Sequence, residues 1–480
     1  MPSCLERNYL INNSVIKKIL SFLYSDFYFL LLIVYSAIFW YIDKYVIAIS
    51  IMLLFASIIL ILQRDIAPVL PIIFMASATI YRTTIPDNLP KLLLVLIPIV
   101  LAIIFHIIYY PPTKLNIGRL TIPLLVVTIV CMLGGIFYPK ELGLQQFFGK
   151  NILSALWIGI MPLVIYLITI NFATQDNIKG TLNVYVAKTF LYFSLLTAIE
   201  IVLYYVKLKN GDFVPSTAVP HIGWTISNGA GTVILIGFPM GFYLSTQYKG
   251  CRADFYVVIA TLELIAIFLT TSRGSTLFGL LVFAICLVFN FFAKEKGIER
   301  IRYLFLLGIM AVIIILLCNI YSEKIIRLFK SIIFGDGLDD NGRYPLYQEA
   351  IQKFKDNPLF GAGLCFIGEH NAIDEKGMYM FHNTIFQILG CLGIVGVIGY
   401  VYYYFERIKM IFEKRDLFNI YVFICMIGFE GYSLLNPGSF QGFPLISISI
   451  IMAAAIEKLN KLEFKPYLIG LKKRGTNVEK

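Results

Sequence analysis

The stretch TTSRGSTLFG, Thr270 to Gly279, sets one arginine, Arg273, between two apolar runs. A guanidinium offers a rigid fork of donors suited to bidentate binding of phosphate oxygens, and the small residues around this one let a ligand or a second backbone approach closely. An arginine at a helix end can also simply extend its head to the lipid headgroups. Arg273 alone therefore identifies no site. A second guanidinium, Arg343, heads the stretch RYPLYQEAIQKFKDNPLFGAG, and His382 and Asn383 cap FHNTIFQILGCLGIVGVIGY at 381–400. Fixed guanidinium groups can stabilise the charge that develops on an anionic leaving group, and a histidine near neutrality can take the proton of an attacking hydroxyl. Glu369 and His370 lie between these stretches. With His382 they lack the compact spacing of a zinc site, so no metal and no other cofactor is expected.

Membrane helices must position these groups. Of 480 residues, 59% are hydrophobic and 14% charged, a balance that no soluble domain of this length can hide in its interior. The net charge of +11 comes without Lys/Arg blocks interleaved with aromatics, so topology accounts for it and nucleic acid is not an expected partner. The eight cysteines show neither disulfide pairing nor metal-ligand spacing. No small-residue cleavage site follows the first apolar run, which starts near Phe27, and no cleaved signal peptide is expected.

About 20 apolar residues cross a bilayer core. Candidate runs lie near 27–42, 45–62, 66–80, 92–110, 120–138, 152–172, 182–206, 226–246, 255–271, 275–293, 302–320, 381–404, 417–435 and 441–456. The expected fold is all-α, a polytopic transmembrane bundle of twelve to fourteen spans with one long extracytoplasmic loop containing short helices. Its parts are a cytoplasmic segment at 1–26, helices at 27–320, the loop at 321–380, further helices at 381–456 and a basic cytoplasmic tail at 457–480. Lysines and arginines in the turns at 294–302 and 406–416 set the orientation, by which Arg273, the long loop, His221, His370 and His382 face outward while His106 lies at an inner helix end. Cys365, in the loop, should then meet an impermeant thiol reagent and Cys251 should not.

Within the loop, Lys324, Arg327 and Lys330 recur at helical spacing among apolar residues, the pattern of a basic amphipathic helix on a membrane surface. A second helix starts near Pro345 and stops at 357–358. Gly390, Gly393, Gly396 and Gly399 make the following span one that can pack closely. Glu200, Glu263 and Glu430 fall in the outer half of spans and Lys188 in the inner half. The acids either neutralise Arg273 or Arg343 or line a polar pocket.

These motifs in this order resemble the O-antigen ligase and polymerase superfamily of bacterial membrane enzymes, the Wzy and WaaL type. The resemblance rests on TTSRG ending one span, on RYPLYQEA with NPLFGAG in the loop, on HNTIFQILGCLGIVG opening the next span, and on ISNGAGTVILIGFPM at 226–240. It runs from about 222 to 400; the first 200 residues match in hydropathy only. It implies a GT-C-like fold and transfer of a glycan from an undecaprenyl diphosphate carrier to an acceptor hydroxyl, without a metal, at the outer face of the bacterial cytoplasmic (inner) membrane. By carry-over, Arg273 and Arg343 hold the diphosphate and His382 orients or deprotonates the acceptor, with Asn383, Asn228, Glu369, His370, Lys324 and Arg327 as further substrate contacts. The implied partners are the lipid-linked donor, the glycan acceptor, membrane lipids and other polysaccharide export proteins. Polymerases often carry another arginine in an earlier outer loop, where this chain has Lys207, Lys209 and His221. Polymerase is the first reading and ligase the second. The reading from another class is a flippase or transporter, for which polar sites near the bilayer midplane, broken helices and repeated halves would be expected.

Overall fold

Inside hydrocarbon every backbone N–H and C=O must find its partner within the chain, and an apolar run meets that demand by becoming a helix. The computed structural model describes residues 14–80, 85–112, 114–138, 152–173, 182–207, 221–295, 297–320, 322–323, 326, 343–366, 368–370 and 378–461. Among them each candidate run is helical and no strand occurs, so the protein is an all-α helical bundle. The helices are α1 (Ser14–Leu23), α2 (Asp26–Tyr41), α3 (Tyr45–Leu62), α4 (Val69–Ala78), α5 (Ile85–Tyr109), α6 (Thr121–Leu133), α7 (Ile152–Ala155), α8 (Met161–Phe172), α9 (Leu182–Lys207), α10 (Ser227–Gln247), α11 (Cys251–Leu269), α12 (Arg273–Ala293), α13 (Ile298–Ile320), α14 (Arg343–Asp356), α15 (Thr384–Glu413), α16 (Leu417–Ser433) and α17 (Leu445–Lys461). A π-helical turn, Leu156–Ile160, joins α7 to α8. Among the described residues α3, α9, α10, α12 and α15 are each long and apolar enough to cross a membrane alone, and shorter apolar helices pack beside them.

Helix α10 is the centre of the bundle, buried over almost its whole length against α9, α11, α12 and α16. Small residues allow this: a Cβ on Gly237 would meet Ser194 and the Phe190 carbonyl within 3 Å, so α9 and α10 touch at backbone distance. Charges separate to the ends. One face carries the pairs Lys188–Asp26, Arg252–Asp26, Arg302–Asp254, Lys249–Glu295 and Arg119–Glu413, at 2.6 to 2.8 Å, and the basic turns at 294–302 and 406–416 lie there. His106 sits at the same end, where its Nδ1 donates to the Leu60 carbonyl at 2.8 Å. The starts of α10, α12, α14 and α15 lie at the opposite face.

The acidic residues within the spans each have a donor of their own. Glu200 accepts from Trp224 Nε1 at 2.8 Å, Glu263 from Ser194 Oγ at 2.6 Å, and Glu430 from Arg407 and Tyr404 at 3.0 Å each. The contacts of Glu263 and Glu430 join helices, and that of Glu200 ties α9 to the segment leading into α10.

Two features of the loop region differ from the sequence reading. Cys365 is buried, its Sγ 3.1 Å from Ser154 Oγ, whereas Cys251 is exposed, so Cys365 is no reporter of sidedness. The span expected at 381–404 is a helix from Thr384 to Glu413 broken at Gly393, whose φ of 61° and ψ of −157° only glycine adopts readily. The break frees backbone groups that the NPLFGAG stretch then satisfies: Ala362 N–H donates to the Gly390 carbonyl and Gly363 N–H to that of Cys391, both at 2.8 Å, while Ile394 and Val395 N–H donate back to Pro358 and Leu359. The 20 residues from Ile394 to Glu413 span about 30 Å of rise, so the break falls at one edge of a bilayer-spanning helix.

Helix α14 forms as expected, from Arg343 to Asp356, and lies against the outer arm of α15, with Tyr347 stacked on Phe386 at 4.5 Å and Ala350 against Gly390. The basic amphipathic pattern at 323–335, with Lys324 and Arg327, falls outside the described residues apart from isolated positions.

Candidate active site

Four helices begin close together at the face away from the basic turns. Asn228 stands in the first turn of α10, Arg273 and Arg343 are the first residues of α12 and α14, and His382 and Asn383 immediately precede α15. Unpaired N–H groups at a helix start carry partial positive charge, so four such starts together favour an anion even before the two guanidinium groups are added.

A chain of hydrogen bonds ties these elements to the end of α16. His382 Nδ1 lies 2.8 Å from Asn436 Oδ1, Asn436 Nδ2 donates to the Tyr432 hydroxyl at 2.7 Å, and Tyr432 in turn reaches Ser272 and Thr232. Ser272 Oγ donates to Asn228 Oδ1 at 2.8 Å and lies 3.0 Å from Ser275 Oγ, while Asn383 Nδ2 donates to the Leu434 carbonyl at 2.7 Å. The direction of the first bond has a chemical consequence. An amide oxygen can only accept, so His382 carries its proton on Nδ1 and the lone pair on Nε2. That tautomer can take a proton at Nε2.

Burial pushes the His382 pKa below its ordinary value, the Asn436 bond opposes that shift, and the positive charge of nearby Arg343 adds to it. The imidazole is therefore neutral at neutral pH. Its backbone is held at φ 53°, and Thr271, two residues before Arg273, at φ 59°. Both are non-glycine residues in the left-handed region, an arrangement that persists only where the surroundings enforce it.

The structure thus brings Arg343, His382, Asn383 and Asn228 into one cluster, with Arg273 at the helix start beside Ser272. Glu369 and His370 belong to a separate knot. The buried Glu349 of α14 accepts from Glu369 N–H at 2.9 Å, lies 3.1 Å from His370 Nδ1 and accepts from the Tyr379 hydroxyl at 2.6 Å. This knot, with buried Gln387 bonded to Phe381 N–H and the Tyr379 carbonyl, fixes the strand of loop that delivers His382. Lys324 and Arg327 lie outside the described residues. The sequence reading missed Ser272, Glu349, Tyr432 and Asn436. Asn436 is separated from His382 by 54 residues in the chain, and its NPGSFQ turn shows in sequence only a lack of positive charge.

No cluster of His, Cys, Asp and Glu suited to a metal occurs among the described residues. No curated protein and no solved structure matches the chain. Residues 256–401, which hold both arginines and His382, match the family model described as Wzy_C, O-antigen ligase, and in this segment the chain is similar to that family.

Proposed function

We propose that this protein transfers a glycan from an undecaprenyl diphosphate carrier to an acceptor sugar hydroxyl, at the outer face of the inner membrane, polymerising repeat units of a surface polysaccharide. Support comes foremost from one observation: a neutral histidine with its lone pair on Nε2 stands beside Arg343, where four helix starts converge, inside the segment that matches the family. In the reaction the acceptor oxygen attacks the anomeric carbon and the bond from that carbon to the diphosphate breaks. The hydroxyl proton passes to Nε2 of His382, and the electron pair of the broken bond leaves on the carrier diphosphate. Arg273 and Arg343 stabilise that charge without reorganising, and the helix starts add to the field. Asn228 and Asn383 anchor the surrounding backbone; Glu369 and His370 act through the knot that sets the His382 loop. Lys324 and Arg327 on a basic surface would gather the anionic lipid. Outward orientation follows the positive charge of the turns on the opposite face.

The test is purified protein in liposomes with a lipid-linked repeat unit, read on a gel that resolves chain length. A ladder supports polymerisation. Product formed only when a lipid A core acceptor is added makes the protein a ligase with the same donor chemistry. Movement of the lipid-linked unit across the bilayer without any new glycosidic bond sinks the proposal in favour of a flippase.

A further inference from the structure

The proposed chemistry leaves His106 without a task, yet this histidine is only 2% exposed near the end of α5, on the face of the basic turns. Its Nδ1 donates to the Leu60 carbonyl, so in the neutral ring Nε2 holds a lone pair, and among the described residues that nitrogen has no hydrogen-bond partner. A buried acceptor left unpaired is costly unless a donor reaches it from outside the chain.

His106 lines a cavity of about 180 Å³ between α3, α4, α5, α8 and α17. The other walls are almost entirely apolar, among them Leu60, Phe74, Ile99, Phe172 and Ile451. An apolar cavity of roughly this size stays dry and takes up hydrocarbon. From Ile99 to His106 it runs about 10 Å along α5, a third of a bilayer core, so it suits the head end of one chain rather than a whole lipid. Ile73, Ile103 and Ile107 line it and are exposed on the lipid-facing surface of the bundle, so its mouth opens into the membrane.

Depth and charge narrow the occupant. Tyr109 and Tyr110 follow His106 within a turn, and tyrosines gather where hydrocarbon meets water. The cavity therefore ends at the headgroups of the leaflet on that face. Leu60 and Ile66 both line it, and the turn between them carries the exposed Arg64, while Asp65 beside it is buried and bonded to the Tyr24 hydroxyl and the Ala67 N–H. Lys458 adds a second positive charge at the same end, on the Ile170 and Ala173 carbonyls. A lipid that is anionic and carries a hydroxyl suits both the cations and the lone pair. The ammonium of phosphatidylethanolamine would meet like charge there.

We infer that this cavity holds one acyl chain of phosphatidylglycerol from the leaflet at that face, with a glycerol hydroxyl donating to His106 Nε2 and the phosphate beside Arg64. The site stands apart from the glycan-transfer reading. The experiment is photo-crosslinking in proteoliposomes made of equal amounts of phosphatidylethanolamine and phosphatidylglycerol, with a benzophenone amino acid in place of Ile107 at the mouth or of Leu94, exposed elsewhere on the same helix. Adducts are identified by mass spectrometry. At 107 phosphatidylglycerol should exceed phosphatidylethanolamine about tenfold, a preference of about 1.4 kcal/mol. At 94 the adducts should follow the composition of the bilayer. Arg64→Gln, at an exposed position that folding does not depend on, should cut the preference at 107 several-fold, and His106→Phe, which keeps a ring and removes both nitrogens, should do the same. If His106→Phe fails to fold, Arg64→Gln carries the test. Adducts at 107 in the bilayer ratio, an equal preference at 94, or a preference unchanged by Arg64→Gln or by folded His106→Phe overturns the inference.

Discussion

At the scale of single residues the proposed chemistry turns on His382 and what fixes its protons. As general base it acts in the neutral form, so activity should be present above its pKa and fall as pH drops through it. Because that pKa is lowered, the fall should come at more acidic pH than for an ordinary histidine. Asn436→Asp keeps an acceptor for Nδ1 but places a negative charge beside the ring, so the acid limb of the pH–rate profile should move to higher pH while activity at alkaline pH is retained. A purely structural role for Asn436 would lower activity without moving the profile. His382→Ala should cost roughly 10² to 10⁴ in turnover with donor affinity kept, because both arginines remain. His382→Gln can hydrogen-bond the acceptor but cannot take its proton at neutral pH, and near-normal turnover in that variant would rule out the base. Arg273→Lys keeps the charge and loses the bidentate fork; most activity should disappear at normal membrane levels, and a wild-type rate would reduce Arg273 to a headgroup anchor.

At the scale of elements the glycines of α15 divide their work. Gly399 lets α6 approach, with Val130 2.9 Å from where its Cβ would stand, Gly390 admits α14, and Gly393 makes the bend itself. A Cβ at 393 would sit 2.6 Å from the Leu359 carbonyl, on a backbone that L side chains rarely adopt. Gly393→Ala should therefore lower stability by about 1 to 3 kcal/mol from the backbone alone, and more from the clash, and should remove activity with it. Gly308 of α13 is the control: nothing lies within 4 Å of its added Cβ, and Gly308→Ala should be neutral or slightly stabilising. Thermal unfolding in detergent compares the two, and equal melting temperatures for both variants would remove the bend from the account.

At the scale of the whole molecule the two faces carry different charge, and sidedness can be measured directly. Cys251 is exposed among the basic turns and Tyr344 is 63% exposed at the start of α14. In intact spheroplasts an impermeant maleimide should modify the Tyr344→Cys variant at 344 and leave Cys251 untouched until the membrane is permeabilised, as mapped by mass spectrometry. The opposite pattern would reverse the orientation and put the site on the cytoplasmic side.

How much of this was legible in the sequence follows from the range of each interaction. Helix positions were legible because the bilayer requirement acts on local composition, and α14 because proline and the NP stop act within a few residues. Arg273, Arg343 and His382 were legible as candidates from residue type and position, and the motifs that carry the resemblance gave their order. The break in α15 was not, because a glycine repeat reads as packing surface until the chain at 358–363 is seen filling the broken hydrogen bonds. Nor was the path from His382 through Asn436 and Tyr432 to Ser272 and Asn228. It joins four segments distant in the chain, one carrying both Tyr432 and Asn436 and the others one ordinary polar residue each. Composition and spacing determined that this chain is a helical membrane bundle with cations gathered at one face. Only the tertiary structure decided which nitrogen of His382 holds the lone pair, because the proton's place depends on a partner brought near by folding.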